Sequence, residues 1–175
     1  APFVMGQINT RVVRRSAALL AADKLYTPDF RYQEYARMGR GARGALTATA
    51  VAVGMAAGRS ALGFAPLRRV AARFLPAPRE GPSDGAMDQG SFRCELLGVG
   101  ERGSVQRGRI AGRGDPGNRA TTIFVCESAL ALALDVKRLP GGARRGGVLT
   151  PAVAFGEVLA ARLRAAGMTV EPLEA

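Results

Sequence analysis

Hydrophobic positions cluster at helical spacing in two stretches of the C-terminal third, and polar and small residues mark their ends. Residues 118–134, NRATTIFVCESALALAL, are apolar at most positions. That predicts a helix buried on most sides, set at the centre of the fold. Thr150 as N-cap, Pro151 at the first helical position and Gly167 at a left-handed C-cap bound a second helix. Its stripe is Phe155, Leu159 and Leu163, beside Val158 and Ala166. A short strand over 168–170 follows at once.

Residues 4–22, VMGQINTRVVRRSAALLAA, also read as a helix, with Val4, Ile8, Val12 and Ala18 or Leu19 on one side. Arg11, Arg14 and Arg15 fall elsewhere on it, as a solvated face or the wall of a cleft. A turn at Tyr26-Thr27-Pro28-Asp29 leads to a strand over 30–38. Tyr32, Glu34 and Ala36 share one of its sides, and Arg31, Gln33, Tyr35 and Arg37 the other. A strand this polar on both faces is not a central parallel strand; it faces solvent or lines a polar cleft.

The small apolar run GALTATAVAVGMAAG, 44–58, is shorter than the roughly 20 residues that span a bilayer. PLRRVAARFLP follows as a short basic amphipathic helix with Leu67, Val70, Ala71 and Phe74 or Leu75 inward. The two either pack as core helices through small residues, or lie on a membrane or cover a lipid-binding groove. Residues 76–90 carry Pro, Gly and Asp without periodicity and read as an internal linker. A hairpin comes next. Residues 91–97 alternate, with Phe92, Cys94 and Leu96 inward, and the return strand covers 104–111. These patterns predict an α+β fold, a mostly antiparallel or mixed sheet with helices packed on it.

Composition sharpens this in two ways. The 175 residues can bury a core as one domain or a large piece of one, and 47% hydrophobic content argues against disorder. The net charge of +11 is unevenly spread: residues 1–80 hold 13 basic and 4 acidic side chains, residues 81–175 hold 12 and 10. Arg, Ala and Gly enrichment can reflect GC-rich coding alone. A basic half also suits an anionic partner such as cofactor phosphates, an acidic carrier protein or a membrane surface. No aromatic–basic module for nucleic acid is present, so no nucleic-acid partner is expected. The first residues form no signal-peptide pattern, and Cys94 and Cys126 read as buried thiols in a cytoplasmic protein.

Chemistry-bearing motifs are few. There is no histidine, which removes Ser/His and Cys/His nucleophiles and His-based metal sites. G-x-G-x-x-G occurs at Gly39 (GRGARG), Gly98 (GVGERG) and Gly112 (GRGDPG). A dinucleotide site needs an apolar strand before the glycines, a helix after them and an acid about 20 residues on. GVGERG joins two antiparallel strands, and GRGARG follows a polar strand with no acid before Glu80. GRGDPG has Asp135 at a suitable distance but an arginine-rich strand before it. GRGARG can still act as an anion-binding turn at a helix N-terminus. The basic loop 140–147 touches phosphate or nothing. Glu127, inside the apolar helix, is either an acid or base with a raised pKa or the partner of an arginine on a neighbouring strand. Asp115 is read as shaping its turn.

The runs GDPGNRATTIFVCESALALALD and GGVLTPAVAFGEVLAARLRAAG resemble the C-terminal end of saccharopine dehydrogenase-like oxidoreductases. The most similar branch is the trans-acting enoyl reductases that serve lipid-making polyketide synthases. EGPSDG, PLRRVAARFLP and PFVMGQINTRVVRRSAALL extend the resemblance over essentially the whole chain. Asn118 departs from it, standing where an aromatic is expected after GDPG.

The resemblance implies that residues 1–175 are a C-terminal, substrate-side domain, with a Rossmann domain for NADP or NAD lying upstream. It implies an unsaturated lipid or polyketide acyl substrate, free or on a carrier protein, and a cytoplasmic enzyme that this chain alone does not complete. It places the first helix and the 30–38 strand at the cleft between the domains, with Asn9, Arg14, Tyr32 and Tyr35 as substrate contacts; Tyr32 or Tyr35 can supply a proton, but spacing assigns no catalytic residue. Membrane-surface contact through 44–75 and a second copy of the chain complete the expected partners. The alternative is a non-catalytic lipid- or membrane-associated module.

Overall fold

A computed structural model describes residues 1–23, 25–73 and 81–174. The chain forms two compact units, Ala1–Gly81 and Pro82–Ala175. The architecture is α+β: helices with one three-stranded antiparallel sheet.

In the first unit, α1 spans Gly6–Leu20 and runs into a 3₁₀ turn at Ala21–Asp23. The helix is rotated from the face its sequence predicts. Val4, Ile8 and Val12 are exposed, whereas Ser16 and Ala17 are buried and Gly6, Asn9, Thr10 and Val13 are half-buried. The cause is the partner the helix finds. Its small, polar side lies on the extended segment 30–38, where a Cβ added to Gly6 would sit 3.7 Å from Glu34 Cβ. A polar strip that hydrogen-bonds across that contact outweighs the apolar stripe in setting the rotation.

The predicted strand over 30–38 is extended chain without a ladder. Its only strand-like pairing is an isolated antiparallel bridge between Pro2 and Tyr35, where the Ala36 N–H donates to the Ala1 carbonyl at 2.9 Å. Its period-2 alternation survives: Tyr32, Glu34 and Ala36 are half-buried, and Arg31, Gln33, Tyr35 and Arg37 are exposed. Alternation orients side chains, but a sheet needs a second strand to pair with, and this unit supplies none among the described residues.

α2 spans Gly41–Leu62 and α3 spans Ala65–Ala72. The 15 apolar residues expected for α2 become a 22-residue helix, because it starts within GRGARG and carries Arg59 in its last turn. At that length it is long and apolar enough to cross a membrane, by length and composition. The glycines of GRGARG have local structural roles. A Cβ on Gly44 would stand 2.7 Å from the carbonyl carbon of Gly39, so the chain folds back on itself there only because Gly44 lacks one. Neither helix is buried as a core element. Leu46, Val53, Leu67 and Val70 are exposed, and Phe74 and Leu75 lie outside the described residues.

In the second unit, α4 (Asp84–Gln89) occupies part of the stretch read as linker; residues 76–80 of it lie outside the described residues. Ser83 caps it, its Oγ accepting from the Ala86 N–H at 3.3 Å. β1 (Ser91–Val99) and β2 (Val105–Arg113) form the predicted hairpin, and β3 (Thr169–Leu173) pairs antiparallel with β2. α5 (Arg119–Leu134) and α6 (Pro151–Ala165) cover one face of the sheet. Ala120, Leu163 and Met168 are buried there with Phe92, Ile123, Phe124 and Val170 packed around them. A second cluster, Ala131, Leu139, Phe155 and Val158, joins α5 to α6.

Residues 84–119 are tied together at the GDPG turn. The Gly114 N–H donates to the Gly90 carbonyl at 2.8 Å, and the Asp115 N–H to the Met87 carbonyl at 2.8 Å. Asp115 shapes the turn as expected, its carboxylate accepting from the N–H groups of Arg119, Asn118 and Gly117. Those bonds, the Arg119 N–H first, hold its carboxyl below the usual aspartate value. Arg119 reaches back to Asp88 at 2.7 Å and Asp84 at 2.8 Å.

Three expectations fail in this unit. α5 is buried on one side only: Ala120 and Ala131 are enclosed, while Val125, Leu130, Leu132 and Leu134 are exposed. Within the unit it has only the sheet and α6 to pack on, so one stripe is covered and the central buried position is not realised. Cys94 and Cys126 are exposed and form no disulfide: the helices cover the sheet at Phe92 and leave the strand at Cys94 uncovered, and Cys126 lies on the uncovered side of α5. Glu127 pairs with Arg162 of α6 at 2.8 Å, not with a strand. Arg162 also binds Asp135 at 2.9 Å, and that bond, with Arg138, holds the Asp135 carboxyl below its usual value. α6 keeps the predicted Thr150, Pro151 and Gly167 ends but breaks helical geometry at Gly156, which lies against Pro140.

Candidate functional site

An open cleft in the first unit lies between the start of α1 and the 30–38 segment. Pro2, Phe3, Gly6, Gln7, Thr10, Arg11, Arg14 and residues 32–35 line it. Helical spacing puts Gln7, Thr10, Arg11 and Arg14 on one flank of α1. The extended segment presents the opposite wall. Three of the four sequence-derived contacts, Arg14, Tyr32 and Tyr35, therefore meet at one cleft.

Asn9 does not line it. Its Nδ2 donates to Glu34 Oε2 at 2.9 Å, and the Tyr32 hydroxyl donates to Glu34 Oε1. Asn9 thus acts by fixing Glu34, which in turn fixes Tyr32. On the other face of the segment, the Tyr35 hydroxyl donates to Gln33 Oε1 at 2.7 Å. Both phenolic protons are engaged within the chain, so neither tyrosine presents a free proton in this arrangement.

The unengaged donors are the arginines. Neither Arg11 nor Arg14 has a hydrogen-bonding or ion-pair partner among the described residues, and both are exposed. The Glu34 carboxylate opposite is held by two donors. The cleft therefore has two positive charges on the α1 wall, and phenol rings with the Glu34 carboxylate on the other. It can hold a carboxylate, a phosphate or a polarised carbonyl oxygen against an aromatic surface.

The sequence offered Arg11, with Arg14 and Arg15, as a solvated face or a cleft wall, but did not show the role of Glu34. Arg11 stands three residues before Arg14, which places both on one helix face, and that spacing was the available signal. Glu34 is one of only four acids in the first 80 residues. Its role depends on a contact between distant segments that no local pattern shows.

The second unit has a recess lined by Phe92, Arg93, Gly112, Arg113 and Thr169 among others. None of the sequence-derived contacts falls there.

Known proteins give the cleft a context. A protein of Mycobacterium ulcerans is 40% identical over 172 residues, covering 96% of this chain and 40% of its own length. Relatives from Mycobacterium tuberculosis and Mycobacterium bovis are each 38% identical over 172 residues, with the same coverage. All three are named trans-acting enoyl reductase. The chain spans about two fifths of the length of these relatives. No family profile matches the chain, and no solved structure matches it.

The described residues do not fit a complete dinucleotide site. GVGERG is the hairpin connection between β1 and β2, and GRGDPG is the Asp115-centred turn between β2 and α5. GRGARG follows extended chain that pairs with no sheet. A Rossmann site needs the glycines between a parallel strand and its helix, and no parallel pair occurs among the described residues. No group of His, Cys, Asp and Glu among them can hold a metal ion.

Proposed function

We propose that this chain is the substrate-side part of an enoyl reductase built like the saccharopine dehydrogenase-like oxidoreductases. Its nicotinamide cofactor, NADP or NAD, is held by a Rossmann domain elsewhere in the full-length protein. The substrate is an α,β-unsaturated acyl group of lipid or polyketide type. The relatives' description as trans-acting favours delivery on a carrier protein. A cytoplasmic location and a second copy of the chain as partner belong to the same proposal.

The observation that carries the reading is the pair of unengaged arginines, Arg11 and Arg14, facing Tyr32 and Tyr35 in a chain with these relatives. Reducing an enoyl group places developing negative charge on its carbonyl oxygen, and fixed cationic donors stabilise such charge most effectively where water is excluded. In this chain the arginines supply the donors, and the Asn9–Glu34–Tyr32 network holds the opposite wall in position. The arginines stabilise this charge but do not protonate it, because a guanidinium keeps its proton; the proton that completes the reduction at the α-carbon comes from water, which reaches the open cleft.

The test is turnover by the full-length protein. It should oxidise NADPH or NADH only when an enoyl thioester is present, with faster turnover when that thioester sits on a carrier protein. Lack of turnover with both nicotinamides and both thioester forms would contradict the reading. It would leave the second one, a non-catalytic lipid-associated module, which draws on the exposed α2 and α3.

A further inference from the structure

We infer that α2 and α3 form a membrane-surface anchor for anionic lipid. α2 exposes Leu46, Val53 and Leu62, at 73%, 62% and 51%, while Gly44 is buried and Ala48, Val51, Ala52 and Met55 are half-buried. Phe64 and the α3 residues Leu67 and Val70 are exposed too, and among the described residues α2 packs mainly on α3. Bare apolar surface alone does not say what covers it. The charge around it does.

Residues 35–79 contain no Asp or Glu, and they contain Arg37, Arg40, Arg43, Arg59, Arg68, Arg69, Arg73 and Arg79. Arg40, Arg43, Arg59, Arg68 and Arg69 are exposed, and none has an ion-pair partner among the described residues. A surface carrying one sign of charge fits a partner of the opposite sign, and its apolar centre adds the need for an apolar layer beneath that charge. A surface that is apolar at its centre, arginine-rich at its margins and free of acids matches anionic headgroups over an acyl interior. Arginine stems suit this position, because they lie along apolar surface while the guanidinium stays in the headgroup layer.

The geometry favours lying on the membrane over crossing it. α2 has 22 residues, but Arg43 and Arg59 bracket only 15 of them. Fifteen helical residues rise about 22 Å, against a hydrocarbon core of about 30 Å. A crossing helix would therefore hold Arg43 or Arg59 within the hydrocarbon. Lying flat, α2 buries the face that carries Leu46 and Val53, seven residues apart, and α3 sets Arg68 and Arg69 beside the headgroups. For an enzyme of lipid-like acyl groups, this placement would keep the protein where its substrates accumulate.

The test is flotation of the full-length protein with vesicles, read without turnover so that it stands or falls apart from the reductase reading. With equimolar phosphatidylglycerol and phosphatidylcholine, the protein should float at low salt and be released as salt rises. Phosphatidylcholine alone should bind about tenfold less, and the triple substitution Arg59→Gln, Arg68→Gln, Arg69→Gln should cost a similar factor. Val53→Asp, at an exposed position, should weaken flotation without changing the melting temperature. Equal binding to neutral vesicles, or flotation that neither variant reduces, overturns the proposal. So does absence of flotation, with a Val53-dependent dimer in its place.

Discussion

Replacing Arg11 and Arg14 together by glutamine should, on the proposed reading, lower kcat/KM of the full-length protein for an enoyl thioester by about a hundredfold, roughly 2.7 kcal/mol of transition-state stabilisation. Both arginines line the cleft, neither is committed to another residue described, and both are exposed. Their loss therefore leaves the fold intact, and the melting temperature should stay within about one degree of wild type. If the arginines bind only the resting substrate, KM rises alone; if they meet charge that develops during reduction, kcat falls with kcat/KM. On the proposed reading, in which the cofactor is held elsewhere, cofactor affinity should not change. Neutralising Glu34 as Glu34→Gln is the companion variant. It removes the anchor shared by Asn9 and Tyr32, and it should reduce activity less than the double arginine change.

The second large effect is structural. Gly90→Ala should destabilise the second unit by about 3 kcal/mol, because a crowded insertion against backbone has no rotamer through which to relax. A Cβ there would meet the Asp115 nitrogen at 2.6 Å and its Cα at 2.7 Å. The same glycine accepts the Gly114 N–H, so backing away would break the bond that seats the GDPG turn. Gly85→Ala is the control. Its Cβ would meet nothing within 4 Å, so it should leave the melting temperature nearly unchanged. Thermal unfolding of the two variants side by side separates crowding from the general effect of adding a methyl group.

What the sequence made legible was local. Thr150, Pro151 and Gly167 bounded α6, the β1–β2 alternation located the hairpin, and Asp115 announced its turn, because caps and turns are decided by residues within a few positions of one another. What it hid was non-local. Residues 30–38 alternate like a strand yet pair with no ladder, because pairing requires a neighbour that alternation does not supply. α1 carries an apolar stripe at Ile8 and Val12 yet packs through Gly6 and Asn9, since the Glu34 contact sets its rotation. α5 is as apolar as a central helix and is covered on one side only. α4 lay hidden in a stretch whose proline and glycine content reads as linker, although Ser83 followed by Asp84 is a start signal. For the site, Arg14, Tyr32 and Tyr35 were reached through the resemblance and meet at one cleft, whereas the Asn9–Glu34 contact joins segments distant in sequence and no local pattern shows it.

The central claim is that the acyl substrate binds between α1 and residues 30–38. Hydrogen exchange on the full-length protein, with and without a saturating enoyl thioester, measures this most directly. The account predicts that substrate slows exchange in peptides covering 6–14 and 30–38, and that the Arg11, Arg14 double variant loses this protection while keeping its native exchange pattern elsewhere. Protection confined to the recess around Arg93 and Arg113, with none at α1, would contradict it.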